Sequence, residues 1–383
     1  MKLAVPRERM PGETRVAATP DVVKKYVAMG FEVVIEKGAG EDATFTDAEY
    51  QAAGASIAKD EASALKDADI VVKVQRPVID GKLNEIALMK PGAVLIAQLA
   101  ALTHAEEVKS YADAGLCAFA LELMPRISRA QSMDILSSQN NLAGYKAVID
   151  GAATYGSMMA MMMTSAGTVP PAKVFIMGVG VAGLQAIATA RRLGAVVTAN
   201  DVRPATKEQV ESLGAKFLMV DEAAMKDAET SGGYAKEMSD DYKKRAAEVV
   251  AEHVKKQDII VTTALIPGKP APVLITADMV KSLKPGSVIV DLAAETGGNC
   301  ELTEPGKLVV KHGVKIVGYT NVPGRLPKDA SILFAKNVLN FLTPHVDKET
   351  KALSIKWDDE TVAGCLVTKD GKVVNAMLVG EAK

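Results

Sequence analysis

Short apolar segments rich in Val, Ile and Leu recur along the chain and alternate with segments of helical periodicity. Residues 2–5 (KLAV) and 31–40 (FEVVIEKGAG) flank a capped helical pattern at 19–30 that ends on a glycine. Short β-branched runs bounded by turn residues are typical of buried strands. Further strands of this kind are predicted at 68–75, 92–99 and 116–124. Strands separated by helices predict a parallel sheet with crossover helices, an α/β fold.

A second α/β series follows a helical pattern at 140–156. Its opening segment, 172–202, has the pattern of a strand, a glycine turn, a helix and a further strand. More strands are predicted at 215–220, 258–265, 286–293 and 313–321. A helix predicted at 328–346 can carry the chain back to the first domain, and 367–375 has the pattern of a hairpin. Two similar α/β halves are therefore predicted, which a length of 383 residues favours.

Composition and charge narrow the class of protein. The chain is 48% hydrophobic and 24% charged with a formal charge of −2, which is ordinary for a globular protein and disfavours nucleic-acid binding. Its three cysteines are widely spaced, so no metal site is predicted. No apolar run reaches the roughly 18 residues that a membrane helix needs. The methionine-rich segment 156–167 is predicted to form a buried helix.

The segment after the predicted strand 173–177 has the glycine spacing of a dinucleotide-binding turn. Gly178 allows a tight turn, Gly180 lets the backbone approach a pyrophosphate, and Gly183 lets helix and strand pack closely. The N-terminus of the following helix presents unpaired N–H groups and a positive dipole end to a phosphate. The motif alone is a weak signal, but the strand, the helix and an acidic residue about 20 residues further on all stand in the required places.

That acidic residue is Asp201, at the end of the next predicted strand. A carboxylate there can accept both hydroxyls of the adenosine ribose and repels a 2′-phosphate, so it favours NAD(H) over NADP(H). Arg203 argues for caution, because an arginine can accommodate that phosphate. Val202, between them, is assigned to the same site.

The polar stretch 222–257 is long for a single crossover connection. Gly232 and Gly233 beside Tyr234 and Tyr242 predict a movable flap with an aromatic tip. Such a flap would exclude water from a hydride-transfer site. An ordinary solvated insertion is the alternative interpretation, although long loops are often functional.

A polar loop at 125–139, PRISRAQSMDILSSQ, contains many hydrogen-bonding groups and no His, Lys, Glu or Cys. A dehydrogenase of hydroxy or amino acids usually needs a positioned acid or base. Hydride exchange between two nicotinamides needs only positioning and exclusion of water. Arginine, glutamine, aspartate and serine can hold a carboxamide and a ribose by directed hydrogen bonds. The start of a capped surface helix is an equally good interpretation of this loop.

Other candidate acids and bases are weak. Solvated or capping roles are favoured for the four histidines, which are His104, His253, His312 and His345. Asp291 and Glu295 lie at the C-terminal end of a predicted strand, where open sheets bind ligands, but neither is a clear base.

Taken together, these segments resemble the NAD(H)-binding component of the proton-translocating NAD(P) transhydrogenases along essentially the whole chain. The most specific segments are 123–152, 178–195, 201–214, 232–238 and 262–276. The first of these, which contains the polar loop, is family-specific in a way that the glycine motif is not.

The resemblance implies roles for individual residues of the polar loop. Arg126 and Ser137 resemble the residues that hold the carboxamide of the dihydronicotinamide. Gln131 resembles the group that reaches its ribose and the facing NADP nicotinamide, and Asp134 resembles the partner of Arg126 and of that ribose. Tyr234 resembles the tip of a mobile loop that closes over the nucleotide. The residues expected to bind NAD(H) are Gly178, Val179, Gly180, Val181, Ala182, Gly183, Asp201, Val202, Arg203, Gly233, Tyr234, Ala264 and Leu265.

The resemblance also implies an architecture and an assembly. It implies two Rossmann-like doubly wound parallel-sheet domains: a discontinuous outer domain of residues 1–135 plus 328–383, and a NAD(H)-binding domain of residues 136–327. It implies a homodimer, an NADP(H)-binding domain III on the beta subunit, and a membrane domain II formed by a second alpha polypeptide and the beta subunit. We therefore expect the short alpha subunit of a three-subunit enzyme of the Si-specific/Re-specific, proton-pumping type. It would be cytoplasmic, peripheral on the inner face of the bacterial inner membrane, and active only with its NADP(H)-binding partner.

Two alternatives remain open. Alanine dehydrogenases share the two-domain fold, and Arg15 and Lys73 match their carboxylate and carbonyl positions. Their catalytic histidine and aspartate, however, fall on Gln98 and Glu295, and a glutamine cannot shuttle a proton. The second alternative is a non-catalytic NAD(H)-sensing module whose lid reports redox state to a membrane partner.

Overall fold

The computed structural model describes residues 1–380 except for 82, 204, 220–239 and 267. The chain divides into two compact units. The first unit comprises Met1–Gln139 and Pro323–Lys383, and the second comprises Asn140–Val322. A helix of 20 residues, Ile135–Thr154, begins in the first unit and ends in the second.

The first unit is built on an eight-stranded sheet. Its strands are parallel except at one edge, where two short strands from the C-terminal segment run antiparallel. The strand order is Lys372–Val373, Leu366–Lys369, Cys117–Ala120, Val94–Gln98, Ile70–Gln75, Lys2–Val5, Glu32–Glu36 and Ser56–Ala58. Apart from the edge strand Ser56–Ala58, the parallel strands are almost completely buried, because helices cover both faces of a sheet of this kind.

The helices of the first unit begin at local sequence signals. Pro20–Ala28 starts with proline at its first position, and Asp47–Ala52 is preceded by a capping box of Thr46 and Glu49. The remaining helices are Glu61–Leu65, Ala105–Asp113, Pro327–Leu342, Glu360–Cys365 and Ala376–Val379. Pro327–Leu342 buries Phe334 and Phe341 in the core beside the sheet, so the segment after residue 323 completes the fold of the N-terminal segment.

The second unit has a seven-stranded sheet in which only the edge strand Leu308–Lys311 is antiparallel. The strand order is Lys216–Phe217, Val196–Asn200, Lys173–Met177, Ile259–Thr262, Val288–Asp291, Val314–Val317 and Leu308–Lys311. The connecting helices are Val181–Arg192, Thr206–Ser212, Asp240–Val254 and Ala277–Ser282. The order reverses between Lys173–Met177 and Ile259–Thr262, which makes their C-terminal ends the switch point where doubly wound sheets bind ligands.

The methionine-rich segment differs from the prediction. Instead of a buried helix, the structure has a hairpin of Met162–Thr164 and Gly167–Val169. Its methionines face solvent, and Met163 is 76% exposed. The helical pattern stops at Thr154, and Gly167 adopts a positive φ of 132° that a helix does not contain. The prediction of a buried helix is therefore wrong.

The predicted fold class is confirmed: both units are α/β with doubly wound, mainly parallel sheets, and the first is discontinuous in sequence. Within the segments of the chain that the structure describes, no helix has the length and apolar character needed to cross a bilayer.

Candidate functional site

The glycine turn of the second unit joins the strand Lys173–Met177 to the helix Val181–Arg192. Gly178 has a φ of +97°, and a Cβ there would lie 2.6 Å from the Thr263 hydroxyl oxygen. A Cβ on Gly183 would lie 1.9 Å from the Gly178 carbonyl oxygen. Neither position tolerates a side chain, so the turn holds the helix start against two neighbouring strand ends.

Gly180 differs from these two glycines, because no described atom would lie within 4 Å of a Cβ there. Gly180 is the residue before the first helical turn, and it has no side chain to cap that turn. The N–H groups of Val181, Ala182 and Gly183 therefore have no partner inside the helix. A pyrophosphate can occupy the open space in front of this helix, where the N–H groups donate hydrogen bonds to it and the positive end of the helix dipole attracts its charge.

A second helix packs directly on this turn. A Cβ on Gly144, in the helix Ile135–Thr154, would lie 2.0 Å from the Ala182 carbonyl oxygen. The Thr263 hydroxyl donates to the Gly178 carbonyl oxygen at 3.0 Å. Neither Gly144 nor Thr263 was among the predicted site residues. The glycine in the segment NNLAGYK was the only sequence signal for the close helix contact.

Asp201 directly follows the strand Val196–Asn200 beside the glycine turn, where the sequence predicted it. Its carboxylate accepts the backbone N–H of Val179 at 2.7 Å and the backbone N–H of Arg203 at 2.9 Å. The Arg203 guanidinium donates to both carboxylate oxygens, at 2.9 and 2.8 Å. Val202, between them, is 38% exposed. The structure thus brings Asp201 to the glycine turn through Val179.

Ala264 follows the neighbouring strand at the switch point, and a buried asparagine holds it. The Asn299 side chain accepts from the Ala264 N–H at 3.0 Å and donates to the Ala264 carbonyl oxygen at 2.9 Å. It also donates to the Pro272 carbonyl oxygen at 2.8 Å. Leu265 is 47% exposed beside this anchored residue. Asn299 was missed from the sequence, because its partners lie 35 and 27 residues away.

Asp291 is a structural residue and not an exposed base. Its buried carboxylate accepts from the Thr262 and Thr303 hydroxyls at 3.1 and 2.6 Å, and from the N–H groups of Ala293 and Cys300 at 3.0 Å each. Four donors fill the acceptor positions of a carboxylate. The network ties the end of the strand Val288–Asp291 to the segments on either side of it.

The polar loop of the first unit forms a 3₁₀ turn, Ser128–Met133, followed by the helix Ile135–Thr154. Arg126 and Gln131 are exposed on it. Asp134 caps the helix: its carboxylate accepts the Ser137 N–H at 2.9 Å and the Ser137 hydroxyl at 2.5 Å. The structure therefore shows the capped helix start that the sequence allowed. Two of the four predicted catalytic side chains take part in the cap, and the other two are exposed.

This loop is anchored from the C-terminal segment of the same unit. Asn337 and Asn340 both donate to the Ser132 carbonyl oxygen, at 2.8 and 3.0 Å. Arg129 pairs with Asp359 at 2.7 Å, and this contact lowers the pKa of the Asp359 carboxyl well below its usual range. Two elements more than 200 residues further along the chain thus anchor the loop, one through the Ser132 backbone and the other through the Arg129 side chain.

Arg15 and Lys73, the positions that match alanine dehydrogenase, are buried and paired within the first unit. The Arg15 guanidinium contacts the Glu13 carboxylate at 2.7 Å, and both side chains are at most 3% exposed. The Lys73 ammonium lies 2.7 Å from Glu85 and 3.5 Å from Glu8. Burial raises the pKa of the Glu8 carboxyl to about 7 although Lys73 opposes the shift.

Two other predicted site residues, Gly233 and Tyr234, lie outside the described residues. Glu295 is exposed and accepts the N–H of Asn321. Among the described residues, no group of three or more His, Cys, Asp or Glu side chains is arranged to hold a metal ion.

A doubly wound sheet with a glycine turn and a carboxylate at its switch point defines the class of Rossmann-like dinucleotide-binding folds. The N-terminal domain of alanine dehydrogenase/PNT matches residues 4–143, and the C-terminal domain of alanine dehydrogenase/PNT matches residues 147–376. The chain belongs to the alanine dehydrogenase/PNT family.

Individual relatives refine this assignment. The first of the polypeptides that form NAD(P) transhydrogenase subunit alpha in Rhodospirillum rubrum is 64% identical over 100% of both chains. The solved transhydrogenase from Sinorhizobium meliloti has a TM-score of 0.88 at 50% identity, covering 98% of this chain and 100% of that chain. An alanine dehydrogenase of Halomonas elongata is 31% identical over 97% of this chain and 94% of that protein. The predicted resemblance to the transhydrogenases is confirmed.

Proposed function

We propose that the chain is the NAD(H)-binding subunit of a proton-translocating NAD(P) transhydrogenase of the Si-specific/Re-specific type. The observation that carries this is the switch point of the second unit. There the open backbone at Gly180, the unpaired N–H groups of the following helix and the Asp201 carboxylate match the pyrophosphate and ribose of a dinucleotide. The names of the relatives support the assignment.

The NAD(H) contacts come from the second unit and from the predicted flap. The N–H groups of Val181, Ala182 and Gly183 bind the pyrophosphate, and Asp201 accepts the ribose hydroxyls. Ala264 and Leu265 contact the dinucleotide at the neighbouring strand end, where Asn299 holds the Ala264 backbone in place. Gly233 and Tyr234 close over it.

The residues of the polar loop act on the nicotinamide end. When bound, NADH supplies the hydride that passes to NADP+ on the partner domain. Arg126 and Ser137 orient the carboxamide, Gln131 bridges to the ribose and the second nicotinamide, and Asp134 holds Ser137 in position. Hydride transfer between two nicotinamides needs no proton-transfer group. This agrees with the structure, in which the Asp291 carboxylate already accepts hydrogen bonds at all its positions and the Glu295 carboxylate accepts the N–H of Asn321.

We also propose the assembly that the family implies. NADP(H) binds domain III of the beta subunit, and the membrane domain II, formed by the second alpha polypeptide and beta, couples the transfer to proton translocation. The chain then lies on the cytoplasmic face of the bacterial inner membrane through these partners. A homodimer is supported by the hairpin of the second unit and the segment before it, whose exposed methionines Met158, Met161, Met162 and Met163 offer an apolar surface suited to a second copy.

The test is hydride transfer from NADH to an NADP+ analogue, with the purified chain alone and with a purified NADP(H)-binding domain III. Transfer that requires domain III is expected. A parallel assay with pyruvate and ammonium tests alanine dehydrogenase activity. NADH oxidation by the chain alone with these substrates would refute the proposal and make Arg15, Lys73 and Glu295 the site.

A further inference from the structure

Asp201 is the residue proposed to bind the adenosine ribose, but hydrogen bonds already occupy the acceptor positions of its carboxylate. Each of its oxygens accepts two hydrogen bonds at 2.7 to 2.9 Å, and the side chain is 7% exposed. A carboxylate has about four acceptor positions. Ribose hydroxyls can bind here only if some of the present donors leave.

The four donors divide into two pairs. Two are backbone N–H groups, of Val179 and Arg203, and they cannot leave without unfolding the turn. The other two, Nε and Nη2, belong to the Arg203 side chain, which is 23% exposed and can rotate into solvent. One side-chain donor is on each oxygen. Withdrawal of the guanidinium would leave a carboxylate that is still oriented, with one vacant position on each oxygen.

We propose that the Arg203 guanidinium occupies the place of the two adenosine ribose hydroxyls, leaves it when a dinucleotide binds, and thereby reduces the selectivity of the site against a 2′-phosphate. The proposal rests on the proposed function, because it concerns the same ribose position. The two hydroxyls of NAD(H) replace the two side-chain donors one for one. The backbone N–H groups of Val179 and Arg203 keep the carboxylate in place.

The displaced side chain affects a phosphorylated ribose differently. Arg203 is two residues from Asp201, so its guanidinium stays close to the 2′-position after it leaves the carboxylate. A guanidinium fork binds phosphate oxygens well, and its charge offsets that of Asp201. Arg203 therefore competes with NAD(H) and at the same time makes the site more tolerant of NADP(H).

The test uses ADP-ribose and 2′-phospho-ADP-ribose, which differ only at the 2′-position and carry no nicotinamide. Their dissociation constants are measured by calorimetry for the wild type, Arg203→Ala and Arg203→Lys. Arg203→Ala should bind ADP-ribose at least as tightly as the wild type. It should bind 2′-phospho-ADP-ribose more weakly by on the order of tenfold, the usual size of a lost charged hydrogen bond. Arg203→Lys keeps the positive charge but not the forked guanidinium, so it should lose less of the affinity for 2′-phospho-ADP-ribose than Arg203→Ala does.

Arg192→Ala is the matched control, because Arg192 is an exposed arginine at the other end of the helix Val181–Arg192. It should leave both constants unchanged. Weaker ADP-ribose binding by Arg203→Ala would overturn the proposal and make Arg203 a support for Asp201. An unchanged ratio of the two constants would also overturn it. A wild-type chain that binds neither ligand would refute the proposed function itself.

Discussion

Asp134 and Ser137 are joined twice, because the Asp134 carboxylate accepts both the backbone N–H and the hydroxyl of Ser137. The backbone contact caps the helix Ile135–Thr154, and the hydroxyl contact fixes the orientation of the serine side chain. This residue pair therefore stabilises the start of the helix and also positions the serine hydroxyl that the proposed function assigns to the carboxamide. The two roles can be separated by mutation.

Asp134→Ala removes both contacts, whereas Ser137→Ala keeps the backbone cap. We expect Asp134→Ala to lower the free energy of unfolding by about 1 kcal/mol and Ser137→Ala to lower it by much less. Both should slow hydride transfer with domain III, because the carboxamide is held less well. Denaturant unfolding and single-turnover transfer measure the two effects. A normal transfer rate in Ser137→Ala would contradict the role of this hydroxyl.

Gln131 is exposed, so shortening it disturbs no core packing. Gln131→Asn moves the amide back by one methylene, and we expect it to slow hydride transfer far more than it weakens NADH binding. Gln51→Asn, at an exposed position of the helix Asp47–Ala52, is the control and should change neither quantity. Equal losses in rate and affinity would instead make Gln131 a simple binding residue.

Gly144 tests the contact beneath the glycine turn. Gly144→Ala places a methyl group 2.0 Å from the Ala182 carbonyl oxygen, so either the helix or the turn must move. We expect a loss of about 1–3 kcal/mol in the free energy of unfolding and weaker NADH binding. Gly156→Ala, where no described atom lies within 4 Å of the new Cβ, should have neither effect. Thermal unfolding and NADH titration of the two variants measure these effects, and equal stability and affinity in both variants would contradict the role of Gly144.

Asn299 tests the anchoring of Ala264 and Pro272. Asn299→Asp replaces an amide that donates to two carbonyl oxygens with a group that repels them. Asn299→Ala leaves the same backbone groups without partners, and each buried unpaired group costs about 1–3 kcal/mol. We expect both variants to be less stable than the wild type and to bind NADH more weakly. Asn141→Ala, at an exposed helix position, is the control, and equal stability of all three would contradict the anchoring role.

The buried carboxyl of Glu8 makes stability depend on pH. Burial raises its pKa from 4.5 to about 7 in the folded chain, so the folded state keeps a proton that the unfolded state has already lost. The free energy of unfolding should therefore fall as pH rises from about 4.5 to 7 and level off above, by on the order of 3 kcal/mol from this group. Glu8→Gln removes the titration and should flatten this decline.

Glu61 has a pKa raised to about 7 as well, mainly by burial, so some of the decline should remain in Glu8→Gln. Glu32→Gln, at an exposed position, is the control and should follow the wild type across the pH series. Urea unfolding at several pH values measures the slopes. Parallel curves for the wild type and Glu8→Gln would show that Glu8 does not titrate in this range.

The strands could be predicted because their signal is local. The segment predicted at 2–5 is the strand Lys2–Val5, and the one at 68–75 contains the strand Ile70–Gln75. Strands buried on both faces need continuous β-branched runs, which stand out in the sequence. The methionine-rich segment was misjudged for the opposite reason. Its apolar composition suits a buried helix and an exposed hairpin equally, and burial depends on what packs against it.

For the candidate site, the sequence by itself determined the backbone requirements. Gly178 has a positive φ, and Gly183 lies too close to a carbonyl oxygen for a side chain. Both requirements arise between residues that are near in the sequence, and glycine is the residue that meets them. Only the tertiary structure decided which polar groups meet. Asn299 reaches Ala264 across 35 residues because the strands that precede them, Ile259–Thr262 and Val288–Asp291, are adjacent in the sheet. The Val179 N–H donates to the Asp201 carboxylate across 22 residues because the strands Lys173–Met177 and Val196–Asn200, which precede the two residues, are adjacent in the sheet. Hydrogen-bond partners of this kind depend on strand order and side-chain direction, which no local pattern contains.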